Sequence, residues 1–220
     1  MIRSYLIAAA AIAIGSSASH AALVITEVMS SSRHGGGAAN GDWYELTNTG
    51  PAPVSLEGFA WDDDADADAG SFFPTGTSIG IDERLIVVEE NAANEPGFRA
   101  AWNLASSVQV LNQEEMGSFS GLGSPGDVVN IFNRDGILVS AVTFGQATAG
   151  VSFEWDTTGT SLGTSVIGRN GAYKAFDDGA TANPGTNDGL DIASPAVVPE
   201  PASLAILGLG GLLAMRRRRA

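Results

Sequence analysis

Apolar positions in this chain come in short bursts. Between residues 22 and 155, runs rich in Val, Ile, Phe and Trp are separated at close intervals by Gly, Asn, Asp and Pro. That is the pattern of an all-β sandwich. The first run, Leu23–Met29, places Leu23, Ile25 and Met29 on one side of an extended chain and Val24, Thr26 and Val28 on the other, so burial is expected on both faces. Residues 43–48 predict a second strand, ended by Asn48-Thr49-Gly50-Pro51, and residues 54–61 a third with Gly58 as a bulge. A fourth covers 84–90, and β structure resumes at 108–111. Residues 95–104 carry Phe98, Ala101 and Trp102 and predict the one short helix, with Pro96 in its first turn. The clearest local signal is a hairpin, 128–132 and 137–144, joined by Asn133-Arg134-Asp135-Gly136, because an Asp-Gly pair supplies the positive φ angles of a tight turn. Residues 151–155 predict a last strand. From 179 onward large apolar residues become scarce, so the domain is expected to span 22–187 and residues 188–197 to be a linker.

The two ends follow different rules. Arg3, an apolar stretch over 6–14 and small residues over 15–21 make a secretory signal layout, with Ser19 and Ala21 small enough for a cut between Ala21 and Ala22. That apolar stretch is well short of the roughly 20 residues a membrane span needs. At the other end, Val198, Pro199, Glu200 and Pro201 precede an apolar segment over 202–215 and the cluster Arg216, Arg217, Arg218 and Arg219. Apolar side chains partition into lipid, whereas four guanidinium groups stay on the cytoplasmic side and leave the body outside. The apolar part is short for a lasting anchor, so transient inner-membrane anchoring through a transmembrane helix is expected. This tail resembles the PEP-CTERM sorting signal. The resemblance implies recognition by an exosortase-type membrane protease in a Gram-negative bacterium, and a product at the cell surface or in an extracellular biofilm matrix.

Composition narrows the classes further. The chain has no cysteine, which excludes disulfides, thiolate metal sites and cysteine nucleophiles. Without its two tags it keeps six basic residues against 24 acidic ones, a net charge near −18. Such a surface repels nucleic acid and anionic lipid and favours solubility and cations.

A second resemblance rests on three stretches: Val24-Ile25-Thr26-Glu27-Val28-Met29, Asp42-Trp43-Tyr44-Glu45-Leu46-Thr47-Asn48 and Val54-Ser55-Leu56-Glu57-Gly58-Phe59. They are similar to the opening strands of the lamin-tail domain. That resemblance implies an immunoglobulin-like β-sandwich acting as a binding or adaptor module, with Glu27 and Glu45 as structural positions that hydrogen-bond loop backbone inside the sandwich. Acids in otherwise apolar strands need such partners.

Candidates for chemistry are few. Asp62, Asp64, Asp66 and Asp68 suggest a calcium loop, since Ca²⁺ takes six to eight oxygens, although Ala and Thr stand where the EF-hand pattern requires Gly and Glu. His34 is the sole histidine of the expected mature chain, too little for a zinc site. Gly117-Ser118-Phe119-Ser120-Gly121 places Phe where a nucleophile elbow needs Ser. The pairs Glu89-Glu90 and Glu114-Glu115 read as solvated edges, and Trp61, beside the acidic loop, is the tryptophan best placed to stack on a sugar. The chain is therefore expected to be non-enzymatic, with an adhesive or structural role on extracellular polysaccharide and no catalytic residue. The alternative is a secreted polysaccharide hydrolase using unidentified carboxylates.

Overall fold

The computed structural model of the chain describes residues 23–33, 41–64, 70–176 and 191–197. The expected signal peptide with Ala21 and Ala22, the tail from Val198 onward, His34, Asp66 and Asp68 lie outside them. In chain order the strands are β1 (Leu23–Met29), β2 (Trp43–Asn48), β3 (Val54–Ser55), β4 (Ala60–Asp62), β5 (Ser71–Phe72), β6 (Ser78–Ile79) and β7 (Arg84–Val88). Helix α1 (Glu95–Ala101) follows, then β8 (Gln109–Asn112), β9 (Asp127–Phe132), β10 (Leu138–Phe144), β11 (Phe153–Trp155), β12 (Ser161–Thr164), β13 (Tyr173–Lys174) and β14 (Ile192–Ala193). A six-stranded sheet in the order β12-β11-β1-β2-β7-β8 faces a four-stranded sheet, β10-β9-β4-β5. Pairing is antiparallel except between β7 and β8, which α1 connects as a crossover.

The expected immunoglobulin-like β-sandwich is the architecture found. Ile25, Tyr44, Leu46, Leu85 and Val87 from the large sheet meet Trp61, Val129, Ile131, Val142 and Phe144 from the small one in the main core. The predicted hairpin joins β9 to β10, with Gly136 at φ +72° and its N–H bonded to the Asn133 carbonyl at 2.9 Å.

The opposite face of the large sheet is covered too. Met29, Trp43, Ile86 and Val88 pack there with Phe98, Ala101 and Trp102 of the helical segment, and with Ala175 and Ala193. Trp43 meets Phe98 and Trp102 edge-on at centroid distances of 6.2 and 6.1 Å. Cover on both faces explains why every residue of β2 is buried.

Four expectations need correction. Strict alternation along β1 fails because the pairing with β2 shifts between Ile25 and Glu27. This bulge moves Val28 to the main core with Leu23 and Ile25, and Met29 to the second face. The strand expected over 54–61 is two strands, because the chain turns at Leu56 to Phe59, where the Phe59 N–H bonds the Leu56 carbonyl. Gly58 holds φ +75° there, and a Cβ on it would stand 3.0 Å from Arg134 Cβ. Trp61 is fully buried, in ring contact with Tyr44 and Phe119, so it presents no face to a sugar. Glu90 is buried as well, whereas Glu114 and Glu115 are exposed.

The chain's last described part departs furthest from expectation. Residues 191–197 read as linker, yet β14 pairs with β13 and Asp191, Ala193 and Ser194 are buried. Strand β11 is followed by β12, whose four residues are all exposed at one edge of the large sheet. Gly163 within it has φ +89°, and its pairing to β11 slips between Glu154 and Trp155.

Removing the Trp61 side chain leaves a cavity between the sheets, so Trp61→Ala should cost about 3–5 kcal/mol in chemical denaturation. Phe72→Ala, at a side chain 53% exposed, should stay within about 0.5 kcal/mol. Equal losses for both would contradict this assignment of the core.

Candidate functional site

The most unusual chemistry in the molecule lies on the second face of the large sheet. Register pairs Glu27 with Glu154 on one side and with Glu45 on the other, so three carboxyl groups stand in one row across β11, β1 and β2. Their exposures are 1%, 1% and 0%. Like charges directly across strands repel, and burial penalises each one, so the row demands protons or donors.

Donors come from side chains of the sheet and from the C-terminal segment. Glu27 Oε1 accepts from Ser152 Oγ at 2.5 Å and from the Ser194 N–H at 2.8 Å, while its Oε2 accepts from Ser194 Oγ at 3.1 Å. Glu45 Oε1 accepts from Thr26 Oγ1 at 2.7 Å, and its Oε2 from the Ala196 N–H at 2.6 Å. Glu154 accepts from Ser165 Oγ at 2.6 Å, Ser194 Oγ at 3.3 Å and Asn170 Nδ2 at 2.9 Å. Ser152 Oγ and Ser165 Oγ also touch at 2.6 Å. Five contacts of 3.3 Å or less therefore join three serine hydroxyls to Glu27, Glu154 and one another. Three hydroxyl protons cannot fill all five; a proton on Glu27 brings the count to four, so one hydroxyl proton is shared between two acceptors.

The electrostatics agree. Burial above all, then Glu45 and Glu154, push the Glu27 carboxyl well above its ordinary range against the pull of Ser152 and Ser194. Burial raises Glu45 to about 7, opposed by the bonds from Thr26 and Ala196 and by Arg84. Tyr173, which overlies this face, is pushed up to about 12 by burial and by Glu27 and Glu45.

A second group of acids holds the upstream end of the same segment. Asp191 accepts from Ser32 Oγ at 2.6 Å and from the Arg33 N–H at 3.0 Å, and Asp42 accepts from the Ser32 N–H at 2.6 Å. Burial, with Glu89 and Asp191 nearby, raises Asp42 to about 7 although the Ser32 bond pulls the other way. Gly150 permits this approach, since a Cβ there would stand 2.8 Å from Asp191 Oδ1. At the downstream end, a solvent-open cleft of about 180 Å³ lies beside Ala196, lined by Asp82, Glu83, Arg84, Ser107 and Val108.

Of the calcium candidates, only Asp62 and Asp64 lie within the described residues. Asp62 is buried, with Oδ1 accepting the Asp64 N–H at 3.2 Å, and the Asp64 carbonyl accepts from Asn130 Nδ2 at 2.5 Å. Asp63 rises to about 6 through burial, its bond to Asp62 and the nearby charge of Asp127. Among the described residues no three acidic or histidine groups are arranged to hold a metal ion, and no helix is long and apolar enough to cross a membrane. Glu27 and Glu45 do bond loop backbone, as the resemblance implied, but on the outer face of the large sheet, under the C-terminal segment. Glu154 and Ser194 were missed. The available signal was a third acid in an apolar strand, Phe153-Glu154-Trp155, repeating the pattern around Glu27 and Glu45.

A sandwich whose strand acids serve as internal hydrogen-bond acceptors, followed at once by a hydrophobic and basic tail, is an exported module of the immunoglobulin-like class. The Lamin Tail Domain model matches residues 16–146, more than half of the chain, and the protein belongs to that family. The PEP-CTERM protein-sorting motif matches residues 197–219 and supports sorting by an exosortase system to the cell envelope or surface. No curated protein matches the chain. Strands β11 to β14, and with them Glu154, Asp191 and Ser194, lie beyond the matched part of the domain.

Carboxyl groups raised by burial weaken a fold as pH rises. Glu45 and Asp42 bind protons in the folded chain up to about pH 7, against ordinary values of 4.5 and 3.8, so stability is greatest below the ordinary values and is lost up to about pH 7. For Glu45 the full effect is on the order of 3 kcal/mol. The thermal midpoint should therefore fall by roughly 5–10 °C between pH 5 and pH 8. Glu45→Gln, which cannot ionise, should flatten part of that slope, and an unchanged slope would show that this carboxyl is not held protonated.

Proposed function

We propose that the protein is an exported, non-enzymatic surface component that acts by adhesion or as a structural part of an extracellular polysaccharide layer. On this reading an exosortase-type membrane protease removes the tail while the apolar segment anchors it transiently in the inner membrane. The carrying observation is that one chain combines a lamin tail domain, matched over 16–146, with a sorting motif at 197–219. Two further features support it. The tag-free body has a net charge near −18, which suits a dispersed extracellular protein with no affinity for nucleic acid. Phe72 and Phe176 expose 53% and 67% of their surface and offer apolar faces of the sort that stack on sugar rings.

Replacing Pro199, Glu200 and Pro201 together by alanine tests the sorting step in the native host. The parent protein should begin at Ala22, lack Arg216 to Arg219 by intact mass and be found outside the membrane, while the variant should keep its arginines and stay membrane-bound. Identical mass and fraction for the two forms would sink the processing scheme.

Function is tested by incubating the tail-free protein with soluble and insoluble polysaccharides, with and without Ca²⁺. Retention on a polymer without release of soluble sugar is expected. Sugar release would establish a hydrolase instead, and retention only with Ca²⁺ would restore a calcium role for Asp62, Asp64, Asp66 and Asp68.

A further inference from the structure

We propose that the row of Glu154, Glu27 and Glu45 is a seat for the root of the sorting tail, and that the seated root holds the sandwich close against the membrane while the tail is uncut. The inference rests on the sorting reading above. Residues 194–197 are fixed by several separate contacts. Ser194 gives its N–H and hydroxyl to Glu27, and Ala196 gives its N–H to Glu45. The Val197 N–H bonds the Ser194 carbonyl at 2.9 Å, closing a turn. Ala196 holds φ +64°, a left-handed conformation that costs a residue with a Cβ about 1 kcal/mol and persists where the surroundings impose it. The Val197 side chain lies over Gly171, where a Cβ would come within 2.3 Å of Val197 Cγ1.

Chain length turns this fixation into a distance. The sorting motif follows Val197 directly and the apolar segment begins at Ala202. Five residues span at most about 18 Å when fully extended. Without the seat the chain is next held at Ala193, which pairs with Tyr173, and the nine residues from there to Ala202 reach about 32 Å at full extension. Seating thus shortens the tether about twofold, and it does so only in a folded chain, because the three carboxyl groups come from three strands that pair across the sheet. The seat sets where the motif emerges: beside the cleft of Arg84, Ser107 and Val108.

The chain has no cysteine, so Ser107→Cys, at an exposed position beside the root, gives a single labelling site. Full-length protein carrying a donor dye there is inserted into phosphatidylethanolamine and phosphatidylglycerol vesicles with an acceptor dye on the headgroups. It is compared with a form also carrying Ser194→Pro and Ala196→Pro, which lack both N–H donors. Hydrogen exchange is measured on the same samples. Residues 194–197 should be protected like β1 in the parent and exchange freely in the proline form, with β1, β2 and β14 still protected. Energy transfer should fall as the tether lengthens from about 18 to about 32 Å. Free exchange of 194–197 in the parent, or equal transfer in the two forms once the root is released, overturns the proposal. Should the proline form lose protection throughout, Glu45→Ala, which removes the acceptor of the Ala196 N–H and of Thr26 Oγ1 but leaves the backbone of 194–197 unaltered, serves for the same comparison. A parent that does not insert into vesicles defeats the sorting reading, while its exchange pattern still decides whether the seat is occupied.

Discussion

Carboxyl groups aligned beneath a sheet survive only where enough donors reach them, and in this protein some of those donors come from the far end of the chain. Glu27 lies near the start of the described residues and Ser194 near their end, yet the two share a pair of hydrogen bonds. The large sheet has two faces to cover, and different forces cover them. Between the sheets, apolar burial at roughly 25 cal/mol per Å² suffices. On the second face, apolar packing under α1 extends over Trp43, Ile86 and Val88, and the remainder is closed by polar bonds to β14 and the turn after it. A hydrogen bond typically contributes about 1 kcal/mol, but leaving a buried carboxyl without one costs more. The C-terminal segment is held chiefly by that second quantity.

Much of the sandwich was legible because its core strands obey simple rules. In Trp43-Tyr44-Glu45-Leu46-Thr47-Asn48, alternate side chains serve alternate faces: Tyr44 and Leu46 the main core, Trp43 the helix-covered face. Asn48 closes the strand with its own amide, which lies within 3.1 Å of the carbonyls of Ala52, Ile79 and Gly80. The Asp-Gly hairpin was equally plain. The bulge at Thr26 was not, since a single extra residue leaves no mark in composition and reverses every side chain after it. The short strands β12, β13 and β14 were missed for another reason. They contribute few apolar side chains, and a periodicity argument counts little else. The carboxyl row depends on register between strands about 20 and 127 residues apart in sequence, a relation no local pattern carries.

Function and fold meet at the domain's final residues. The family assignment covers the first strands, where Glu27 and Glu45 stand, and the sorting motif begins at 197, where the root ends. Glu154, Ser194 and Asp191 bridge these two recognised parts. A polar contact that looks like ordinary structural support thus sits at the junction between a body to be delivered and the tail that directs delivery. Its raised carboxyl groups follow from burial, and they make the same contact more comfortable in mildly acidic than in alkaline surroundings.

Strand β12 has a different bearing on life outside the cell. An edge strand presents a row of unpaired backbone groups, and a flat edge is an open invitation to the next molecule. Here the edge is short, its pairing slips beside Trp155, and Gly163 turns through a left-handed conformation. A second copy approaching this edge therefore meets a kinked border on which a further strand registers poorly. At this border, growth of the sheet from one molecule into the next is disfavoured.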